Sequence, residues 1–344
     1  MGLTMRMALR ISLVAVLFTV SVADSRKVKK GKKDQLELGD STGGELKNQF
    51  YKETCPTAED TVKQVVQGYV NNDRGIAASL LRMLFHDCFV RGCEASVLLN
   101  GSNTEKTAIP NLSLRGFNVI NDIKAAVEAI CQKTVSCADI LALSARDSIA
   151  MIGGPSWNVL TGRRDGNESS AADVFLNLPA PFFTYPQLVS NFQSKGLDET
   201  DLLWLSGAHT VGLAHCGTIQ KRLYSFSGQG DTDPALDPAY AIQLKEECRP
   251  GDVTTKIAMD PDSELRFDTH YYSAVRAHEG LFQSDAALLN SPVASQFLMF
   301  ADTLLPEGTF FQQFSNSMVK LTSIGVLTGS QGTIRTDCAV PVSS

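Results

Sequence analysis

The chain has 344 residues, 43% of them hydrophobic, and carries 31 Lys and Arg against 37 Asp and Glu. That length and apolar content suffice for one sizeable core, and the acidic balance disfavours nucleic acid and anionic polymers as bulk partners. No apolar run approaches the ~20 residues that a spanning helix needs, so no membrane span is expected.

In chain order, the first 23 residues carry Arg6 and Arg10, an apolar run from Ile11 to Val20, and the small residues of Ser21-Val22-Ala23. Ten apolar residues are too few to cross a bilayer, so residues 1–23 read as a cleaved secretion signal. Its removal leaves 29 basic against 37 acidic residues, a net charge of about -8. Residues 24–45 form a polar extension in which Arg26 to Lys33, RKVKKGKK, places six basic residues in eight. This extension reads as a disordered, solvated tail. The folded domain is expected over 46–344.

Within that domain, apolar residues recur at helical spacing over 58–70, 76–89, 117–131, 138–152 and 185–193. Ser136 with Asp139 three residues later has the form of an N-terminal capping box. Gly153-Gly154-Pro155 ends the helix it opens, and Gly196 ends the next. Further helices are expected over 201–206, 269–277, 295–305 and 309–323. Only Trp157 to Leu160 and Thr333 to Arg335 look like strands, so the fold class is mainly α.

The second of these helices carries Arg82 and His86 four residues apart, which puts a permanent cation and a titratable imidazole on one face. A neutral imidazole can accept a proton and pass it on, while a guanidinium stabilises charge building on a departing oxygen. That pair suits cleavage of an O–O bond. All eight cysteines (55, 88, 93, 131, 137, 216, 248 and 338) follow the signal, an even count that implies four disulfides in an oxidising compartment. Residue counting leaves 105 pairings open. The absence of a CxxC pair gives structural zinc or a redox motif little support.

Seven motifs share one origin: RMLFHDCFVRGCEASVLL from Arg82, SCADILALSARDS from Ser136, GGPSW from Gly153, GRRDG from Gly162, NLPAPF from Asn177, DLLWLSGAHTVG from Asp201 and GLFQSD from Gly280. They resemble the plant secretory (class III) haem peroxidases, and the resemblance runs from Phe50 to Cys338. It implies a two-lobed helical fold with haem b between the lobes. It implies the disulfides Cys55–Cys131, Cys88–Cys93, Cys137–Cys338 and Cys216–Cys248. It also implies a secreted, monomeric enzyme that reduces hydrogen peroxide and oxidises small phenolic donors in one-electron steps through a ferryl haem intermediate.

Residue by residue, the resemblance assigns His209 as the axial iron ligand and Asp285 as the carboxylate that raises its electron density. Arg82 and His86 become the peroxide-cleaving pair. Asn111 orients His86 with Glu105 behind it, Phe85 lies over the haem, and Pro179 presents its carbonyl to donors that Ile109, Phe182 and Phe183 would flank. Trp204 stands where the family has a small aliphatic residue and reads as core packing. The resemblance further implies two calcium ions. The distal one would use Asp87, the carbonyls of Val90 and Gly92, Glu94 and Ser96. The proximal one would use Thr210, Asp260, Ser263, the carbonyl of Arg266, and Asp268.

Two departures stand out. The family has Asp where this chain has Glu94, and one more methylene moves a carboxylate by ~1.5 Å. The loop NLSLRGF after Asn111 is one residue short, which creates an N-x-Ser sequon at Asn111; Asn100 and Asn167 are the better glycan sites. His215, His270 and His278 read as structural or surface residues. The short C-terminus favours apoplast or cell wall over vacuole. Two rival readings are a wall protein that has lost turnover, disfavoured because Arg82, His86, Asn111, His209 and Asp285 are all present, and a zinc hydrolase on His209 and His215, which lacks HExxH and a third ligand.

Overall fold

Valines 62, 66 and 70 repeat every fourth residue of α1 (Ala58–Asn72), and the computed structural model buries that stripe. The structure describes residues 45–261 and 263–342, so the signal expected over 1–23 and all but the last residue of the basic extension lie outside the described residues. Helix α2 (Ile76–Val90) is apolar nearly all round, and eleven of its 15 residues are buried. A helix with no polar face has to sit inside a core. It lies against α4 (Cys137–Met151), with α3 (Phe117–Ile130) and α1 also packed on α4. Three 3₁₀ turns over Ser96–Leu98, Glu105–Thr107 and Ile109–Asn111 link α2 to α3.

The Ser136 hydroxyl accepts from Asp139 N at 3.1 Å and starts α4. Asp139 does not reach back to complete a capping box. Its carboxylate accepts hydrogen bonds from Tyr51 (2.6 Å), Gly162 N (2.7 Å) and Arg163 (2.8 Å), the last a fully buried ion pair. A buried charge needs such partners, and here they outbid the local cap. At the other end, α4 stops at Met151 and the chain turns through Gly153 at φ +103°.

Short helices follow: α5 (Ala171–Asn177), α6 (Tyr185–Ser194) and α7 (Glu199–Ser206). After α7 the chain enters β1 (Leu213–His215), then α8 (Gln220–Tyr224), α9 (Pro238–Glu247) and β2 (Lys256–Ala258). β1 and β2 pair antiparallel with Leu213 opposite Ala258, and the Cys216–Cys248 bridge joins the end of β1 to the end of α9. Around them Ile219, Leu223, Tyr240, Leu244 and Ile257 form a second, smaller core. The chain closes with α10 (His270–Arg276), α11 (Gln283–Ala287), α12 (Pro292–Leu304) and α13 (Glu307–Leu321). Phe310 and Phe314 of α13 pack with Phe267 and Trp157, ring centroids 4.8 to 6.1 Å apart.

The helical class expected from the sequence is what the structure has; the strands are a correction. Trp157–Leu160 and Thr333–Arg335 are not strands: only isolated bridges, Lys47 with Thr161 and Asp165 with Thr333, occur there. Buried Asp165 explains the second, since its side chain takes Ala138 N and Arg335 N at 2.9 Å each and spends the segment's donors on a carboxylate. Cysteines pair as Cys55–Cys131, Cys88–Cys93, Cys137–Cys338 and Cys216–Cys248.

Candidate active site

Helical spacing brings Arg82 and His86 together on α2, where Arg82 Nε donates to His86 Nε2 at 3.2 Å. Arg82 is held from its far end by Nη2–H donation to the carbonyl of Pro110 at 2.8 Å. Asn111, at the end of a 3₁₀ turn, sets the chemistry of the imidazole. Its Nδ2 donates to the backbone carbonyl of Glu105 at 2.9 Å, which turns Oδ1 toward His86 Nδ1 at 2.6 Å. An acceptor at Nδ1 requires the proton there, so the lone pair lies on Nε2. Glu105 thus supports Asn111 through its main chain, not its carboxylate.

His86 is 8% exposed and Asn111 2%. Burial, then the charge of Arg82, pushes the His86 pKa down to about 3, against the opposing bond from Asn111. The ring is therefore neutral across the physiological range. Burial lowers Arg82 to about 10, which leaves the guanidinium charged. Phe85, one residue earlier, stacks on Phe89 at 4.1 Å.

A second imidazole pair lies between α7 and α11. His209 Nδ1 is 2.7 Å from Asp285 Oδ1, and the histidine side chain is 39% exposed while the aspartate is buried. Nδ1–H donation leaves Nε2 open as a ligand atom. Asp285 also accepts from Tyr271 Oη at 3.0 Å and Phe282 N at 2.8 Å. Burial alone would raise its pKa, but the His209 imidazole and these donors hold it below the usual carboxylate range. Tyr271, Phe282 N and the Pro110 carbonyl went unremarked in the sequence. The doublet Tyr271-Tyr272, both buried, was the available signal for the first.

The residues expected to hold calcium lie in two places. Asp87 is fully buried, accepts from Ala95 N (2.8 Å) and Val97 N (3.2 Å), and is pushed well above its normal pKa by burial and by the charges of Glu105 and Glu94. Ser96 Oγ is buried with no hydrogen-bond partner, although Glu105 lies near it. Gly92, at φ +113°, lies so close to the Gly325 backbone that a Cβ would come within 2.5 Å of it. Glu94 is packed on Gly166, whose Cβ would meet its carboxylate carbon at 2.5 Å, and pairs with Arg91 at 3.3 Å. In the second cluster, Thr210 donates to Asp260 (3.2 Å) and Asp268 (3.1 Å), while Ser263 donates to the carbonyl of Arg266 (2.9 Å) and to Asp268 (2.8 Å). His270 bonds to Asp260. Among the described residues no three His, Cys, Asp or Glu side chains converge, so a cation at either place would depend on hydroxyl and carbonyl oxygens.

Ile109 and Phe182 are exposed, Pro179 and Phe183 half-buried. Trp204 is buried edge-on to Phe297 at 4.7 Å, as core packing requires. Asn100 and Asn167 are exposed, and the Asn167 amide is bonded both ways to Val342 (2.7 and 2.8 Å).

A family model described as Peroxidase matches residues 62–301. The chain is 52% identical over 296 residues to Peroxidase 56 of Arabidopsis thaliana, covering 85% of this chain and 89% of that protein. It is 51% identical to Peroxidase 27 of the same plant, with 85% and 91% covered, and 50% identical to Peroxidase 39, with 86% and 92% covered.

Proposed function

This chain belongs to the class III plant peroxidases, a haem-dependent family acting on hydrogen peroxide, and we propose that Arg82, His86 and Asn111 perform its peroxide chemistry while His209 and Asp285 hold the cofactor. The observation that carries the reading is the hydrogen-bond chain Glu105 O, Asn111, His86, Arg82, which leaves a neutral imidazole with its lone pair on Nε2. When bound, haem supplies the iron at which peroxide is cleaved and through which electrons are drawn singly from donors.

His86 Nε2 takes the proton from one oxygen of hydrogen peroxide and delivers it to the other, which leaves as water. Arg82 stabilises the negative charge that builds on the departing oxygen. Asn111 keeps Nε2, not Nδ1, as the basic atom. His209 would offer Nε2 to the iron while Asp285 accepts from its Nδ1–H, a donor set that fits a haem. Phe85 packs the distal side. Two phenolic donors then each give up one electron and one proton, closing the balance at two waters per peroxide. Pro179, with exposed Phe182 three residues on and exposed Ile109 two residues before Asn111, supplies the docking edge.

Asp87, Glu94, Ser96 and the carbonyls of Val90 and Gly92 would hold a distal calcium, for which the unpartnered Ser96 hydroxyl and the fully buried carboxylate of Asp87 speak. Thr210, Asp260, Ser263, the Arg266 carbonyl and Asp268 would hold a proximal one. The signal and the four disulfides support an enzyme secreted to the apoplast or wall, and we read it as a monomer. His86→Ala tests the assignment. It should keep its Soret band and lose ~10² to 10⁴-fold in the rate of reaction with peroxide, the usual contribution of a positioned acid–base group. A rate within threefold of wild type would remove His86 from the mechanism.

A further inference from the structure

Oδ1 of Asp285 accepts two hydrogen bonds. One comes from His209 Nδ1 at 2.7 Å and the other from the phenol of Tyr271 at 3.0 Å. The tyrosine is buried, its ring stands edge-on to His209 at 5.9 Å, and it packs on Tyr272 at 5.4 Å. Nothing in the peroxide chemistry uses this hydroxyl. Its placement on the same oxygen atom as the imidazole proton is nonetheless specific, because the main-chain donor Phe282 N binds the other oxygen at 2.8 Å.

We propose that Tyr271 is a positioning residue that sets how strongly Asp285 pulls on the His209 proton, and thereby tunes the reduction potential of the iron that His209 holds. Each donor on a carboxylate draws charge away from its oxygens and weakens it as an acceptor for the next. With Tyr271 bonded to Oδ1, the His209 N–H is pulled less, the imidazole has less imidazolate character, and it gives less electron density to the metal. Loss of the hydroxyl should strengthen the His209–Asp285 bond and favour the ferric state. The hydroxyl therefore acts as a brake on the carboxylate. It keeps the iron oxidising enough to accept electrons from poor donors.

This inference rests on the assignment of His209 as the axial ligand, and its test separates the two. Wild type, Tyr271→Phe and a protein carrying 3-fluorotyrosine at position 271 are prepared as holoproteins. The ferric/ferrous midpoint is read by spectroelectrochemical titration and the iron–imidazole stretch by resonance Raman. Phenylalanine keeps the ring and deletes the donor, so the midpoint should move negative by a three- to tenfold change in the ferric-to-ferrous ratio, tenfold being ~59 mV for one electron. The stretching frequency should rise with it. Fluorine makes the phenol a stronger donor at almost unchanged size, so this protein should move in the opposite direction on both readouts, and it carries the test if the phenylalanine variant does not fold. A merely structural role would lower the unfolding midpoint and leave potential and frequency alone, which would overturn the proposal. A wild-type protein without a Soret band would overturn the axial assignment and the proposal with it.

Discussion

Replacing Asn111 with leucine isolates the least visible element of the proposed mechanism, the choice of tautomer. In the wild-type protein the 2.6 Å bond to Asn111 Oδ1 holds the His86 proton on Nδ1. Leucine fills similar space and accepts nothing, so the tautomer with the proton on Nδ1 carries a buried, unpaired N–H, at a cost of ~1 to 3 kcal/mol. The other tautomer escapes that cost and blocks Nε2, but it gives up the 3.2 Å bond from Arg82 Nε, which offsets part of the gain. Since ~1.4 kcal/mol is a factor of ten, the fraction of competent imidazole should fall by at most ~5- to 150-fold, and the bimolecular rate with peroxide should fall with it. Stopped-flow absorbance in the Soret region measures this rate. Combining the change with His86→Ala should add nothing beyond His86→Ala alone, because Asn111 works only through the ring. Asn111→Asp keeps an acceptor and so should keep the rate at alkaline pH, while its negative charge raises the His86 pKa and brings the acid limb toward neutrality. A rate for Asn111→Leu within twofold of wild type, or a full further loss in the double variant, would refute the reasoning.

Wild-type peroxide reactivity should be flat from about pH 8 to pH 5, since a base whose pKa is lowered to about 3 stays deprotonated until strongly acid solution; a loss of rate centred near pH 6.5 in the stopped-flow profile would contradict this. On the chain-entropy estimate, opening the Cys137–Cys338 bridge, with its separation of 201 residues, should cost ~5 kcal/mol against ~2 kcal/mol for the five-residue Cys88–Cys93 loop. Denaturant titration of the two double-alanine variants reads the order directly. The distal calcium we propose should leave wild type at lower chelator concentration than it leaves Glu94→Asp, because Glu94 is drawn to Arg91 and packed on Gly166; metal analysis giving identical release curves would show that the loop absorbs the extra methylene.

The parts of this molecule that were legible in the sequence are those written in local period. Arg82 and His86 share a face because four residues make one helical turn, and the buried stripe of α1 follows Val62, Val66 and Val70. Helix α12 starts at Pro292, three residues earlier than apolar periodicity suggests, because Ser291 caps it and proline fits its first turn. Helix α9 was missed despite Asp237 and Pro238 at its start, since its apolar residues make no continuous stripe. The β1–β2 pair has three residues a side, too few for alternation to register. The half-formed capping box at Ser136 shows a local motif yielding to a distant one, because Asp139 is claimed by Arg163 and Tyr51. His209 and Asp285 are 76 residues apart, and no local rule joins them; only the family resemblance did. Tyr271 lay beyond both, because a phenol aimed at one oxygen of one carboxylate leaves no trace in spacing or composition.

The most direct test of the central claim is the visible spectrum of the secreted, purified protein, alone and after one equivalent of hydrogen peroxide, beside that of His209→Ala. The account predicts an intense Soret band in wild type that changes on rapid mixing with peroxide, and its loss or displacement in the variant before any peroxide is added. A wild-type spectrum with no Soret band, or a band that peroxide leaves unchanged, would contradict it.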